Sequence, residues 1–108
     1  MNKKLLSLLG LARRAGKLSM GFDTAADSIR KGESALLLLA KDLSERSAGS
    51  AAGIAAQNAV ETVTVDFSMA EIGQAVGRKQ TGIISINDTG FAKSVKALCT
   101  ENSQEECI

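Results

Sequence analysis

The sequence predicts an α/β fold: a single three-layer α-β-α sandwich on a mixed four-stranded sheet. Three observations point to it. Apolar residues recur alternately at helical and at strand spacing along the chain, in the order α-β-α-β-α-β-α-β-α, the pattern of helices packed on both faces of a sheet. Ala35-Leu36-Leu37-Leu38-Leu39-Ala40 is an unbroken apolar run flanked by charge, as expected of a central strand covered on both sides. The chain has 108 residues, enough for one domain and too few for two.

The elements follow in order. Leu5, Leu8, Leu9, Ala12 and Ala15 fall on one face of a helix over about residues 3–15, which Gly16 is placed to stop. Lys17-Leu18-Ser19-Met20 alternates once and reads as a short strand, with Gly21 as its turn. Phe22, Ala25, Ala26 and Ile29 mark a second helix to about Lys31, with Asp23 near its start and Arg30-Lys31 at its end, as the helix dipole favours. After the apolar strand, Lys41-Asp42-Leu43-Ser44 is a loop. Ala48, Ala51, Ala52, Ala55 and Ala59 then give a helix with a small-residue face suited to close packing. Thr62-Val63-Thr64-Val65-Asp66 alternates as a strand, and Ser68-Met69-Ala70-Glu71 is a capping box opening a helix to Gly77. Ile83–Ile86 is the last strand, and Asn87-Asp88 can cap a final helix carrying Phe91, Val95 and Leu98. The domain is expected over residues 1–99, with residues 100–108 an acidic, frayed tail.

Composition removes several classes of function. There is no His, so the usual neutral-pH acid/base residue and metal ligand is absent. With no Trp, no Tyr and three Phe, a module that reads single strands by stacking is not expected. Cys99 and Cys107 form no C-x-x-C pair and read as reduced thiols rather than a metal or redox site. The apolar start breaks at Gly10 and runs into Arg13-Arg14, unlike a secretory leader, and no run approaches a membrane span; a cytoplasmic location is expected. The net charge of +1 is uneven: residues 1–32 carry +5, 33–77 carry −4, 78–98 carry +3 and the tail −3. If the basic segments meet, they form a face suited to a polyanion; otherwise they are scattered solvated charges.

Three loops could carry chemistry. In Lys17 to Thr24 a glycine turn leads straight into a helix, whose free N–H groups suit phosphate. Ala40 to Ser44, with Lys41 and Asp42, is again strand to helix. Gly77-Arg78-Lys79-Gln80-Thr81-Gly82 is glycine-bracketed, with two cations and two hydrogen-bonding side chains. The first two follow strands and can share the carboxyl edge of a sheet. The third joins that edge only if the last strand is antiparallel to the others, which is the expectation. Each loop also has a plain structural reading. Gly21 can be a simple turn and Asp23 a cap, Asp42 a cap for the helix that follows it, and Arg78 and Lys79 solvation for a loop. Enzyme motifs fail: Gly77-x-x-x-x-Gly82 has Ile83-Ile84 where a phosphate-binding loop needs Lys-Ser/Thr, and no G-x-G-x-x-G exists.

Leu8-Leu9-Gly10-Leu11-Ala12-Arg13-Arg14-Ala15-Gly16-Lys17-Leu18, then Gly21, Ala40-Lys41-Asp42, Ile72-Gly73-Gln74-Ala75-Val76-Gly77 and Asp88-Thr89-Gly90-Phe91-Ala92-Lys93 resemble the bacterial YlxQ-like branch of the kink-turn-binding ribosomal protein superfamily, of L7Ae type. The resemblance covers about residues 4–98. It implies the same sandwich and non-catalytic binding of structured RNA, ribosomal or leader, through the three loops on one edge of the sheet. It carries no metal or cofactor, and the chain is expected to act as a monomer. Lys17, Gly21 and Asp42 stand at family positions. The implied roles are phosphate contacts from Lys17, Arg78 and Lys79, close backbone approach at Gly21, and polar contacts from Asp23, Thr24, Gln80 and Thr81, with Lys41 and Asp42 completing the surface. One block departs: the family's x-Asn-Glu-x-x-Lys after the glycine is Phe22-Asp23-Thr24-Ala25-Ala26-Asp27 here. A carboxylate there repels phosphate unless it accepts from a guanine or cytosine amino group. Two other classes follow: a protein-interaction module that kept the fold and lost RNA, and a nucleotide- or anion-binding enzyme, which would need a deep pocket with a general base.

Overall fold

A computed structural model describes residues 3–107, with side chains up to Cys99. Its elements are α1 (Lys4–Arg14), β1 (Leu18–Met20), α2 (Phe22–Arg30), β2 (Leu36–Ala40), α3 (Glu45–Gln57), β3 (Thr62–Val65), α4 (Met69–Val76), β4 (Ile83–Ile86) and α5 (Thr89–Cys107). The strands form one mixed sheet in the order β1-β4-β2-β3. β2 and β3 are parallel, and β4 runs antiparallel to both β1 and β2. The expected reversal of the last strand is therefore present, and β4 lies inside the sheet rather than at its edge.

The buried apolar run of β2 divides by pleat. Leu36, Leu38 and Ala40 join Ile84 and Ile86 of β4 against Leu5 and Leu9 of α1, Ile72 and Val76 of α4, and Val95 of α5. Leu37 and Leu39 face the other way with Ile83, against Ala25 and Ile29 of α2 and Ala51 and Ala55 of α3. Successive strand residues point to opposite faces, so a wholly apolar strand needs helices on both. Each Leu fully buried this way contributes about 1.5–3 kcal/mol of transfer free energy.

Helix ends follow local chemistry. The capping box at Ser68 is complete: Glu71 N–H donates to the Ser68 hydroxyl at 3.1 Å, and Ser68 N–H donates to the Glu71 carboxylate at 2.9 Å. Ser44 caps α3 by accepting from Ser47 N–H, which starts that helix three residues before its alanine face. Asp88 accepts from Phe91 N–H at 2.9 Å and caps α5. Its neighbour Asn87 does something the sequence did not suggest. Asn87 Nδ2 donates to Ser19 Oγ at 2.8 Å, Asn87 Oδ1 accepts from the Ser85 hydroxyl, and Ser19 and Ser28 share a further bond. This polar cluster ties β1, β4 and α2 together where Ser85 and Ser28 are buried, and it spares their hydroxyls the cost of burial without a partner. The expected boundary between domain and acidic tail at residue 100 falls within α5, whose helical backbone runs to Cys107; side chains beyond Cys99, including Cys107, lie outside the described residues.

Candidate nucleic-acid interface

Strands β1, β2 and β3 end, and β4 begins, on one edge of the sheet. Main-chain bonds stitch that rim together. Gly21 N–H donates to Ile83 C=O at 2.9 Å, Ala40 N–H to Gly82 C=O at 2.9 Å, Lys41 N–H to Phe67 C=O at 3.0 Å and Thr81 N–H to Met69 C=O at 3.0 Å. The loop at Gly21, the loop after β2 and the loop before β4 thus meet, as the sequence predicted.

Gly21 is the N-cap of α2, with φ 94° and ψ 161°. Only glycine adopts this region without strain, so a backbone turn rather than a side chain opens the helix. Gly21 C=O accepts from Ala25 N–H, and the N–H groups of Phe22, Asp23 and Thr24 before it have no partner inside the helix. Asp23 and Thr24 are exposed beside them. Phe22 is 37% exposed at this first turn. Its spacing with Ala25 and Ile29 reads as core, yet a first-turn residue overhangs the end of the sheet; position within the helix was the signal that could have found it.

The turn before β4 is shaped by backbone contact with α4. Gly77 ends α4 in the left-handed region at φ 77°. Arg78 N–H then donates to Gly73 C=O at 2.7 Å. A Cβ on Gly73 would lie 2.8 Å from the Lys79 carbonyl and 2.9 Å from Arg78 O, so only glycine lets the turn fold back on the helix. At Gly82 a Cβ would lie 2.8 Å from Leu43 Cδ1 and 2.9 Å from Met69 Sδ, both on flexible side chains that can shift, so the approach there is less demanding than the backbone contact at Gly73. Arg78, Lys79 and Gln80 are held outward on this frame and are exposed. Lys41 pairs with Asp66 at 3.6 Å, with both side chains more than half exposed.

Three of the expected site residues stand elsewhere or do something else. Lys17 precedes β1, and its C=O accepts from Asn87 N–H at the opposite edge of the sheet. Four residue steps of strand, about 13 Å, separate it from Gly21. Thr81 is 4% exposed, with a buried hydroxyl that has no partner among the described residues, because its N–H bond to Met69 turns the residue inward. Asp42 is a helix cap, but not for the helix that follows it: its Oδ1 accepts from Met69 N–H at 2.8 Å and supports the start of α4. The Ser68 backbone N–H and hydroxyl hold the Glu71 carboxyl below the usual carboxylate range. Among the described residues no group of three His, Cys, Asp or Glu could hold a metal ion, and no helix is long and apolar enough to cross a membrane. The rim therefore offers main-chain N–H groups at a helix start, two cations and an amide: donors suited to phosphate oxygens.

Comparison with known proteins agrees with this architecture. The model of the ribosomal protein L7Ae/L30e/S12e/Gadd45 family matches residues 3–96. The chain is 34% identical over 96 residues to RNA-binding protein YlxQ of Enterococcus faecium, covering 89% of this chain and 91% of that one. It is 32% identical over 91 residues to RNA-binding protein YlxQ of Bacillus subtilis (strain 168), covering 84% and 90%. A protein of unknown function from Bacillus halodurans superposes with a TM-score of 0.83 at 27% identity, over 90% of this chain and 97% of that one. The Giardia lamblia 15.5kD RNA binding protein shares the fold with a TM-score of 0.71 at 19% identity, over 90% of this chain and 89% of that one. On its sequence and its fold, the chain belongs to the ribosomal protein L7Ae/L30e/S12e/Gadd45 family as a YlxQ-like member.

Proposed function

We propose that the chain binds structured RNA of the kink-turn kind, without catalysis and as a monomer, through the rim of the sheet. The observation that carries this reading is the meeting on one edge of the open N-terminus of α2 at Gly21 and the exposed Arg78-Lys79-Gln80 turn. The names of the two YlxQ relatives support RNA as the ligand. Arg78 and Lys79 contact phosphates, and Gln80 and Thr24 add polar contacts. Gly21 lets the backbone approach closely. Asp23 accepts from a base amino group, since a carboxylate against phosphate would be repelled. Lys41 lends charge at the flank while shared with Asp66. Thr81 and Asp42 contribute by holding the turn and the start of α4. Lys17 touches only RNA long enough to reach the far edge.

The test is the affinity of the full chain for a kink-turn duplex at several salt concentrations. Arg78→Ala with Lys79→Ala should weaken binding and flatten the log–log salt slope by roughly 0.9 per lost phosphate contact. An unchanged slope would remove the turn from the interface. One observation favours a second reading, a protein-interaction module: the exposed Asp23 carboxylate at the mouth of α2 stands where an RNA rim gains from a neutral donor. Failure of the wild-type chain to bind any structured RNA would favour that reading.

A further inference from the structure

An open groove of about 560 Å³ runs between α1 and α4, outside the rim. The two helices lie close because Gly10 has no side chain; a Cβ there would sit 2.9 Å from Ala75 O. Arg13, Arg14 and Gln74 line the groove, together with Gly77. The Arg13 guanidinium lies against Gly77, its Cζ 3.9 Å from where a Cβ on that glycine would stand. Gly77 is followed directly by Arg78 and Lys79, so the basic end of the groove is continuous with the cationic turn of the rim.

The arginines are not needed to finish α1. Ala15, Gly16 and Lys17 N–H groups already take the carbonyls of Leu11, Arg13 and Ala12. Nor are they neutralised: Lys31, Lys41 and Lys96 have carboxylate partners, whereas neither Arg13 nor Arg14 has one within 4 Å among the described residues. Glu71 lines the groove too, but its carboxylate accepts from Ser68 N–H. The groove is therefore polarised, cationic beside Gly77 and acidic towards Glu71. A polyanion would cross its basic end rather than lie along it.

We propose that Arg13 and Arg14 carry the phosphate backbone of an RNA stem flanking the part held at the rim, making the α1–α4 groove a second, sequence-independent contact. This rests on the RNA reading above. The test compares a kink-turn duplex with a short flanking stem and one with a long stem, titrated by fluorescence anisotropy across a salt series. The proteins are the wild-type chain, Arg13→Gln/Arg14→Gln, Arg13→Lys/Arg14→Lys and Arg78→Ala/Lys79→Ala. The Gln pair should leave short-stem binding unchanged and lower the long-stem salt slope by up to roughly two, each phosphate contact accounting for about 0.9. The Lys pair should keep the wild-type slope, and the rim pair should weaken both duplexes. Long-stem binding by the Gln pair equal to wild type would overturn the groove contact, as would equal losses on both duplexes. Wild-type chain that binds neither duplex would instead refute the RNA reading, and the groove contact with it.

Discussion

Two glycine-to-alanine substitutions in helices of this chain should have opposite effects, and the difference tests how the cationic turn is held. In α4, a Cβ on Gly73 meets three main-chain atoms of Arg78 and Lys79 at 2.8–2.9 Å. Backbone cannot swing aside as a flexible side chain can. Either the turn moves off, breaking the 2.7 Å bond from Arg78 N–H to Gly73 C=O, or α4 shifts on the core. Overpacking and the lost bond outweigh the gain of about 1 kcal/mol from better helix propensity, leaving Gly73→Ala destabilised by about 1–3 kcal/mol. In α3, a Cβ on Gly53 meets nothing within 4 Å, so Gly53→Ala should stabilise by about 0.5–1 kcal/mol. Urea unfolding followed by circular dichroism reads both, and each kcal/mol moves the melting temperature by roughly 4–8 °C in a domain near this size. Gly73→Ala as stable as Gly53→Ala would refute the close approach of turn and helix.

Other outcomes follow from the same structure. Leu38→Ala, which empties a site closed by both α1 and α4 side chains, should cost about 2–5 kcal/mol in urea unfolding, far more than an exposed substitution such as Leu11→Ala. Glu71 has its folded pKa lowered by Ser68, so its stabilisation is fully present above the ordinary carboxylate pKa. It is lost as pH falls through the lower folded value. Glu71→Gln should therefore flatten the stability profile in that acid window and leave its neutral-to-alkaline shape unchanged, measured by thermal melts across pH.

Much of this architecture was legible in the sequence because its signals are local or periodic. The leucine run of β2 announces a strand covered on both faces. Ser68 and Glu71 announce a helix start three residues apart. Gly21 and the Gly77–Gly82 bracket announce turns, and reversing β4 puts those turns on one rim. What was hidden depends on contacts distant in sequence. Asp42 looks like a cap for α3, and only the fold reveals Met69 N–H as its partner, 27 residues on. Thr81 looks like a surface hydroxyl in a polar turn, until the bond to Met69 turns it inward. Lys17 reads as part of the Gly21 loop because the intervening strand is so short, yet three strand residues suffice to carry it to the other edge. Asn87 reads as a cap and belongs instead to the Ser19–Ser28–Ser85 cluster, whose members lie up to 68 residues apart.

The turn before β4 owes its shape to main-chain atoms and to glycines at its foot, not to Arg78, Lys79 or Gln80. Those three side chains are thus nearly uncoupled from the stability of the domain. Descendants of this chain could exchange them freely and acquire new ligand preferences without first acquiring spare stability. A library randomised at positions 78–80 should remain almost uniformly folded, whereas one randomised at Gly73 and Gly77 should not.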